Sequence, residues 1–384
     1  MFYLTYNAPS SGIFKSQVID VVELWQREFH CPVRLVAFIS IRGFWSARQR
    51  IQKELPGSIV VPSFPRNRYW RVNIVTLLLL ALIYRPKSIM ARAVYAADLA
   101  LMVRKLGLTK RVCYDGRTAY AAEVQEYDVL SDPKLAARAP DLERAVVLHS
   151  DFRLTVADRI VDYWREQYGL AGEDHVVVPC TLSRSFQVLT IEAIKAFRTK
   201  VREQLGFADA DIVLVYSGSA SGWQSFGLLR TLLEKALALD PRIKVLLLTK
   251  TDEQIQELID RHPGRIVARW VKHHEVQGNL AAGDYGIIFR ENTVTNRMTA
   301  PTKFAEYLAT GLNVIVSQNL AITPLVADWQ IGQTVHNETF EGLSLSAVDA
   351  AQKQRALDIA TDYYHKDAPV ILEKYRKLLS FLMA

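Results

Sequence analysis

The chain has 384 residues, 50% of them hydrophobic and 23% charged, which is typical of a globular protein of about two or three domains and excludes a disordered polymer or a fibre. Its three cysteines, Cys31, Cys113 and Cys180, lie far apart, which argues against a disulfide scaffold or a structural zinc module and favours a reducing compartment. The net charge of +7 is unevenly placed: residues 1–111 contain 17 Lys/Arg against 5 Asp/Glu, an excess of +12, and the remaining residues therefore sum to −5.

The first half of the chain alternates short apolar strands with helices. Strands are predicted at 1–6, 33–40, 58–62, 88–90, 111–114 and 176–178. Helices are predicted at 16–29, in a segment ending at 83, in one ending near 106, and over 144–169 with one break.

The second half repeats this alternation after Pro179. Strands are predicted at 212–216, 244–248, 265–268, 285–289 and 313–316, and helices at 191–205, 227–239, 252–261, 276–282, 301–310 and after 345. Short apolar strands between longer helices are typical of parallel sheets built from βα units. The sequence therefore predicts an α/β protein with two doubly wound domains, 1–182 and 183–350, a ligand cleft between them, and C-terminal helices over 351–384 that pack back toward the first domain.

The most apolar run of the chain, residues 74–83, is about half the length that a bilayer-spanning helix needs. It follows the basic and aromatic cluster at 66–71, a composition that is typical of a lipid interface. A buried core helix is the simpler interpretation of the run. The charge excess of residues 1–111 is compatible with an ordinary basic surface or with one facing an anionic membrane. We expect a cytoplasmic protein, with peripheral attachment to the inner face of a membrane as the alternative.

Two loops rich in small residues, 7–12 and 217–222, directly follow predicted strands. Either loop has the composition of a phosphate cradle at a helix N-terminus, and an ordinary βα turn has the same composition. The Walker signature is absent, and no G-x-G-x-x-G follows the first strand. No nucleic-acid-binding motif is present either, so no nucleic-acid partner is expected.

The strongest local pattern lies at residues 299–315. Pro301 suits the first turn of a helix, and Gly311 suits its end before the next strand. Lys303 and Glu306 are three residues apart and share one face of that helix. A lysine there can meet phosphate charge and a carboxylate can accept two sugar hydroxyls, whereas a simple surface ion pair is the plainer interpretation.

The stretch P-T-K-F-x-E-Y-L-A-x-G-x-x-V-I within this pattern resembles the donor-site helix of retaining glycosyltransferases of family 4, which have the GT-B fold of two Rossmann-like domains. Residues 213–219 resemble the strand and glycine turn that open the family's second domain, and residues 281–288 resemble the helix end and strand before the donor helix. In the first domain, residues 90–92 and 113–117 resemble stretches of bacterial polysaccharide transferases. The resemblance is most specific over residues 212–316.

The resemblance implies roles for individual residues. Glu306 matches the glutamate that binds the nucleotide ribose, the glycine turn lies near the diphosphate, and Asp115 follows the strand where the family places an acid or histidine beside the transferred sugar. The implied donor-binding residues are Gly218, Ser219, Lys250, Arg290, Thr302, Lys303 and Glu306. The implied catalytic residues are Asp115 and Arg117, and the implied acceptor-side residues are Gly12, Arg92 and Glu123.

Two departures from the family pattern bear on the donor. Met298 stands where many members have a second glutamate, and Trp223-Gln224 stands where many have Lys-Gly. The missing lysine removes a usual partner of the diphosphate, so another cation, an unusual donor or loss of activity are all open.

The resemblance implies a retaining, metal-independent transferase with no cofactor, which moves a sugar from an activated donor to a glycan or lipid-linked acceptor in surface polysaccharide or lipopolysaccharide assembly. Three alternatives keep the fold: a transferase with a phosphoribosyl diphosphate-type donor, a sugar-nucleotide epimerase, and a non-catalytic nucleotide-binding or scaffold protein.

Overall fold

The computed structural model describes residues 1–8, 12–64, 67–218 and 225–384. The chain divides into two compact units: unit 1 comprises Met1–Ser183 and Pro369–Ala384, and unit 2 comprises Arg184–Ala368. Each unit contains one parallel sheet with helices around it, so the predicted α/β class and its two doubly wound domains are confirmed. The helices after residue 350, which the sequence analysis grouped together, are divided between the two units.

The sheet of unit 1 has seven strands in the order β3-β2-β1-β4-β5-β6-β7. Its strands are β1 (Phe2–Tyr6), β2 (Arg34–Ser40), β3 (Ile59–Ser63), β4 (Ser88–Arg92), β5 (Arg111–Asp115), β6 (Phe152–Thr155) and β7 (His175–Val177). All of their pairings are parallel among the described residues. The strand order reverses between β1 and β4, and doubly wound sheets bind ligands at the carboxyl ends of the strands beside such a reversal.

The helices of unit 1 cover this sheet and connect its strands. They are α1 (Gly12–Phe14), which continues through a π-helical turn (Lys15–Ile19) into α2 (Asp20–Glu28), then α3 (Phe44–Glu54), α4 (Ile74–Tyr84), α5 (Ala93–Lys105), α6 (Tyr120–Tyr127), α7 (Pro133–Ala136), α8 (Ala139–His149), α9 (Asp158–Tyr168) and α18 (Pro369–Met383). Helix α18 buries Ile371, Tyr375, Leu378 and Leu382, a spacing that places one apolar stripe against the core of the unit. No helix of the described residues is long and apolar enough to span a membrane.

The sheet of unit 2 has six strands in the order β10-β9-β8-β11-β12-β13. Its strands are β8 (Ile212–Ser217), β9 (Ile243–Leu248), β10 (Ile266–Ala268), β11 (Tyr285–Ile288), β12 (Asn313–Ser317) and β13 (Gly332–Val335), again parallel in each pairing described. Its helices are α10 (Ile191–Leu205), α11 (Phe226–Leu239), α12 (Glu253–Arg261), α13 (His273–Leu280), α14 (Val294–Arg297), α15 (Thr302–Leu308), α16 (Thr323–Asp328) and α17 (Ala350–Ile359). The strand order reverses between β8 and β11, as it does between β1 and β4.

One prediction for the first half is wrong. The segment 144–169 is not a single broken helix, because β6 lies between α8 and α9. The four residues of β6 are all buried, but the second is Arg153, whose Nε donates a hydrogen bond to the Val147 carbonyl oxygen at 2.8 Å. An arginine at the second of four positions interrupts the apolar run by which a buried strand is recognised in a sequence. Helix α3 and strand β13 also lie where the sequence indicated no element.

Candidate functional site

The strand-order reversal in unit 2 places the carboxyl ends of two strands, β8 and β11, side by side. Strand β8 ends at Ser217 and Gly218, and β11 ends just before Phe289 and Arg290. Gly218 has a φ of +147°, a conformation that only glycine adopts easily. Because Gly218 has no side chain, another group can approach its backbone closely at this edge.

The side chain of Lys303 lies directly against this turn. A Cβ added at Gly218 would collide with Nζ and Cε of Lys303, so the ammonium group contacts the backbone of the turn itself. The same Nζ lies 4.7 Å from the centre of the Tyr216 ring, within the range of a cation–π interaction. The first turn of α15 thus places a cation at the end of β8.

Burial, together with the charge of Arg290, lowers the pKa of Lys303 to about 7, although the charge of Glu306 acts in the opposite direction. A half-buried ammonium beside a guanidinium is electrostatically costly unless negative charge is added. An anion of two or more charges would relieve this cost and raise the pKa of Lys303 again. The electrostatics of this edge therefore favour binding of a diphosphate.

Glu306 lies one helical turn after Lys303 on α15. Burial raises the pKa of Glu306, and the neighbouring charges of His273 and Lys303 lower it. A carboxylate held by a helix at this depth has two oxygens with which to accept hydrogen bonds from vicinal hydroxyls. The pair at positions 303 and 306 thus places a cation and a carboxylate one helical turn apart on α15.

Arg290 is 6% exposed, and its backbone is fixed on both sides. Its amide donates to Ser317 Oγ at 2.6 Å, and its carbonyl oxygen accepts from Ser317 Oγ at 2.9 Å and from Asn337 Nδ2 at 2.6 Å. Its charge also lowers the pKa of Tyr216 against the stronger effect of burial. Arg290, Lys303 and Tyr216 therefore share one corner of the unit.

Tyr307 was not among the predicted site residues, although it contacts both strands at the reversal. Its hydroxyl accepts a hydrogen bond from the Ser217 amide at 3.1 Å, and a Cβ added at Gly286 would collide with its ring. The tyrosine consequently fixes α15 against both β8 and β11. Gly286 and Tyr307 are both visible in the sequence, but their contact can be recognised only when the pairing of the strands is known.

The contacts described above do not include the other predicted donor-site residues. Thr302 is the first residue of α15, and Lys250 is exposed two residues after β9. Ser219 and the pair Trp223-Gln224 lie outside the described residues. Met298 ends α14, where its amide donates to the Val294 carbonyl oxygen at 3.3 Å.

One Asp-x-Asp sequence, a spacing that can hold a divalent metal, occurs at Asp209-Ala210-Asp211. It directly precedes β8 and so lies at the amino end of that strand, away from Gly218. Asp211 Oδ2 accepts from the Ala208 amide at 2.7 Å, and Asp209 lies 3.6 Å from Arg198. Among the described residues, no group of three His, Cys, Asp or Glu side chains is arranged to hold a metal ion.

In unit 1 the structure brings together Arg92, Asp115 and Arg117. Asp115 is fully buried, and its Oδ2 accepts from Tyr3 Oη at 2.7 Å and from Arg92 Nη1 at 3.1 Å, while Arg117 Nε binds Oδ1. Burial alone would raise the pKa of Asp115, but the two guanidinium groups lower it below its ordinary value. This arrangement favours a carboxylate that positions the arginines over one that exchanges protons.

The two other predicted residues of unit 1 lie elsewhere. Gly12 is the exposed first residue of α1. Glu123 lies in α6, where burial raises its pKa and a hydrogen bond from the Thr118 side chain lowers it. The structure gives no direct contact between either residue and the Asp115 cluster.

A groove of about 910 Å³ opens at the carboxyl ends of β1, β2 and β3, and no predicted site residue lines it. Asn7, Ser40 and Ser63, one from each strand end, form part of its wall, and Ser63 Oγ donates to Asn7 Oδ1 at 2.6 Å. Arg42 and Arg68 bring positive charge to its lining, and Asp132, which lies 3.7 Å from Arg68, brings negative charge. This groove was not predicted because its residues come from five separate segments of the chain.

Comparison with known proteins agrees with this fold. Residues 245–355 match the family model described as glucosyltransferase 3-like, C-terminal domain, a segment that includes Arg290, Lys303 and Glu306. Among curated proteins, none has a sequence that matches the chain.

Solved structures with the same two-domain GT-B fold are similar over nearly the whole chain. Sucrose-phosphate synthase from Thermosynechococcus elongatus has a TM-score of 0.68 at 13% identity, covering 99% of this chain and 100% of that one. HepE from Anabaena, solved with UDP and glucose, has a TM-score of 0.70 at 13% identity and covers 100% and 99%. The lipopolysaccharide outer core galactosyltransferase WaaB has a TM-score of 0.64 at 12% identity and covers 99% of each.

Proposed function

We propose that the chain is a glycosyltransferase that moves a sugar from a nucleotide-diphosphate donor to a glycan or lipid-linked acceptor in surface polysaccharide assembly. The observation that carries the proposal is the contact of Lys303 with the Gly218 turn, with Glu306 one helical turn away. The match of residues 245–355 to a glucosyltransferase-like domain supports it. HepE binds UDP and glucose, and WaaB is a lipopolysaccharide galactosyltransferase, so both relatives are compatible with this donor and this role.

In this proposal, Lys303 and Arg290 bind the diphosphate and Glu306 accepts hydrogen bonds from the ribose hydroxyls. As the bond between sugar and diphosphate breaks, negative charge accumulates on the departing oxygen. Cations already fixed beside that oxygen stabilise the transition state without reorganising. With two cations in place we propose transfer that needs no divalent metal and that retains the anomeric configuration.

In unit 1 we propose that Asp115 is a positioning residue for Arg92 and Arg117. The groove beside β1–β3 is the proposed acceptor site, because it lies at the carboxyl ends of three strands and its Arg42 can bind an acceptor with negative charge. The predicted acceptor-side role of Gly12 and Glu123 stays a prediction.

Glu306→Ala is expected to weaken nucleotide diphosphate binding by about ten- to a hundredfold, because hydrogen bonds to a charged group contribute about 1.5–3 kcal/mol. The measurement is thermal unfolding with UDP, GDP, ADP, CMP or phosphoribosyl diphosphate. A ligand at 100 times its Kd should stabilise the unchanged protein by about 2.7 kcal/mol.

Glu338→Ala removes an exposed acid in a turn of the same unit and serves as the matched control. Equal stabilisation of the Glu306 and Glu338 variants by the nucleotide would contradict the ribose assignment. No response of the unchanged protein to any member of the panel would contradict the donor site, and a response to phosphoribosyl diphosphate alone would select that donor class. Interconversion of a nucleotide sugar without acceptor would identify an epimerase instead.

Donor affinity is expected to fall as the pH rises above 7, because the pKa of Lys303 is lowered to about 7 in the free protein. A bound diphosphate raises that pKa, so binding takes up a proton, and the affinity falls by up to about tenfold per pH unit until the bound-state pKa is reached. Titration calorimetry with UDP between pH 7 and pH 9 measures this. Lys303→Arg, which stays charged, should give a nearly flat profile, and a flat profile in the unchanged protein would rule out this coupling.

A further inference from the structure

Helix α4 is apolar around its whole circumference, yet of its eleven residues only Leu77 and Ala81 are buried. Away from these two, Val75, Leu79 and Leu82 recur at intervals of four and three residues and are 60%, 56% and 55% exposed. Together with the neighbouring Val72 and Ile83, at 56% and 70% exposure, they make up what we call the α4 face. A helix with this pattern has one side packed in unit 1 and a second apolar side without a partner in that unit.

Positive charge surrounds the α4 face. No Asp or Glu occurs from residue 55 to residue 97, whereas residues 66–87 contain five Lys/Arg. Of these, Arg68 lies 3.7 Å from Asp132 and Arg71 lies 2.8 Å from Asp98, whereas Arg85 and Lys87 directly follow the face and are exposed. The acid-free residues 55–97 therefore supply six of the twelve net positive charges of residues 1–111.

Aromatic side chains flank the same helix. Tyr69 precedes α4 and is 50% exposed, and Tyr84 ends α4 and is 45% exposed. The ring of Tyr84 also lies under the guanidinium of Arg34, 4.4 Å from its centre. Tyrosine at the ends of an apolar segment, with basic residues beyond it, is the composition that settles at the boundary between acyl chains and lipid headgroups.

We infer that the α4 face lies in the surface of an anionic lipid bilayer, with its leucines among the acyl chains and Arg85 and Lys87 on the lipid phosphates. Eleven helical residues extend about 16 Å, so α4 would lie in the plane of the membrane and not across it. The inference is independent of the proposed transfer reaction. It would hold for any activity of the chain.

Charge favours a bilayer over a second copy of this chain as the occupant. In a twofold contact the same patch appears on both partners, so the positive charges of Arg85 and Lys87 from the two copies would be brought together. An anionic bilayer neutralises the same cations, and each basic residue near such a surface strengthens binding several-fold. A lipid surface therefore satisfies both the apolar stripe and the charge around it.

The test is sedimentation of the full chain with vesicles of phosphatidylcholine alone or with about one third phosphatidylglycerol, at low and high salt. We expect binding to the anionic vesicles, weakened by salt. Leu79→Glu with Leu82→Glu should reduce that binding by at least about tenfold, since two apolar side chains leave the membrane and two like charges approach it. Leu239→Glu is the matched control, because Leu239 is 57% exposed but lies in unit 2.

Arg85→Glu should weaken binding to anionic vesicles and leave the thermal unfolding of the protein unchanged, since Arg85 is exposed at the end of α4. Absence of binding to anionic vesicles at low salt would overturn the inference, as would equal binding by the Leu79/Leu82 and Leu239 variants. A concentration-dependent dimer that the Leu79/Leu82 variant abolishes, with no vesicle binding, would assign the α4 face to a second copy. None of these outcomes depends on sugar transfer, so the donor-site proposal is tested separately.

Discussion

Lys303→Met is expected to lower kcat/KM for sugar transfer by about 10²–10³-fold, the usual effect of removing one preorganised group that stabilises developing charge. Methionine keeps the length of the side chain and its contact with Tyr216 while removing the ammonium group. The departing diphosphate would then have Arg290 but not the cation that lies against the Gly218 turn. The measurement is steady-state transfer from the donor nucleotide sugar that the binding panel identifies.

Unfolding does not account for this expected loss. Lys303 has its pKa lowered from 10.5 to about 7, so the folded state binds its proton less tightly than the unfolded state does. Such a group destabilises the folded protein fully below about pH 7, and the penalty declines as the pH rises toward 10.5. Lys303→Met should therefore leave the free energy of unfolding at pH 7 unchanged or raise it.

Lys244→Met is the matched control for charge. Lys244 lies at the amino end of β9, and its Nζ donates to the Gly264 carbonyl oxygen at 3.3 Å. We expect its transfer rate to stay within about twofold of the unchanged protein, because a surface substitution away from the site shifts energies by about 0.5 kcal/mol or less. Equal activity of the Lys303 and Lys244 variants would contradict the role of Lys303 at the diphosphate.

Local sequence was enough to place most strands and helices of this fold. Helix α10 is the clearest case, since its predicted bounds match the structure: the Thr190 side chain accepts from the Ala193 amide at 3.2 Å at one end, and Gly206 takes a φ of +70° at the other. Capping residues of this kind act within one helical turn, so they can be recognised without knowledge of the rest of the chain.

The assembly of the site could not be derived in the same way. Gly218 and Lys303 are far apart in the sequence, and they meet because β11 lies directly beside β8 in the sheet. The packing of Tyr307 over Gly286 depends on the same pairing. Strand order is set by the packing of whole elements, so local patterns predicted the helix that carries Lys303 and the turn at Gly218 separately, and only the family resemblance assigned them to one site.

The burial of Asp115 could not be predicted from the sequence either. An acid after a strand, followed two residues later by an arginine, has the same pattern whether it faces a substrate or the core. The structure adds Tyr3 and Arg92, which come from two other strands and occupy the same carboxylate. Whether the residue acts in chemistry or in positioning therefore depends on contacts that only the fold creates.

Asp115→Asn is expected to destabilise the protein by about 3–5 kcal/mol, because breaking a buried ion pair leaves the remaining charges without compensation. Arg92 and Arg117, 15% and 13% exposed at their side chains, would face each other across a neutral amide. The measurement is urea unfolding followed by circular dichroism. Asp240→Asn is the control, since Asp240 pairs with the exposed Arg242 at 2.7 Å, and surface pairs contribute about 0–1 kcal/mol.

The stability and the transfer activity of Asp115→Asn together separate a positioning role of Asp115 from a catalytic one. Its pKa in the folded protein is lowered, so its stabilisation is present above the ordinary carboxylate pKa and is lost as the pH falls through the lowered value. The stability difference between the unchanged protein and Asp115→Asn should accordingly stay constant from pH 7 to about pH 5 and shrink only below about pH 4. An Asp115→Asn variant that unfolds at the same urea concentration as the unchanged protein but loses transfer activity would instead place Asp115 in the chemistry. A variant that is less stable but transfers sugar normally at low temperature, where it is folded, would show that the carboxylate acts on stability alone and would contradict the positioning role.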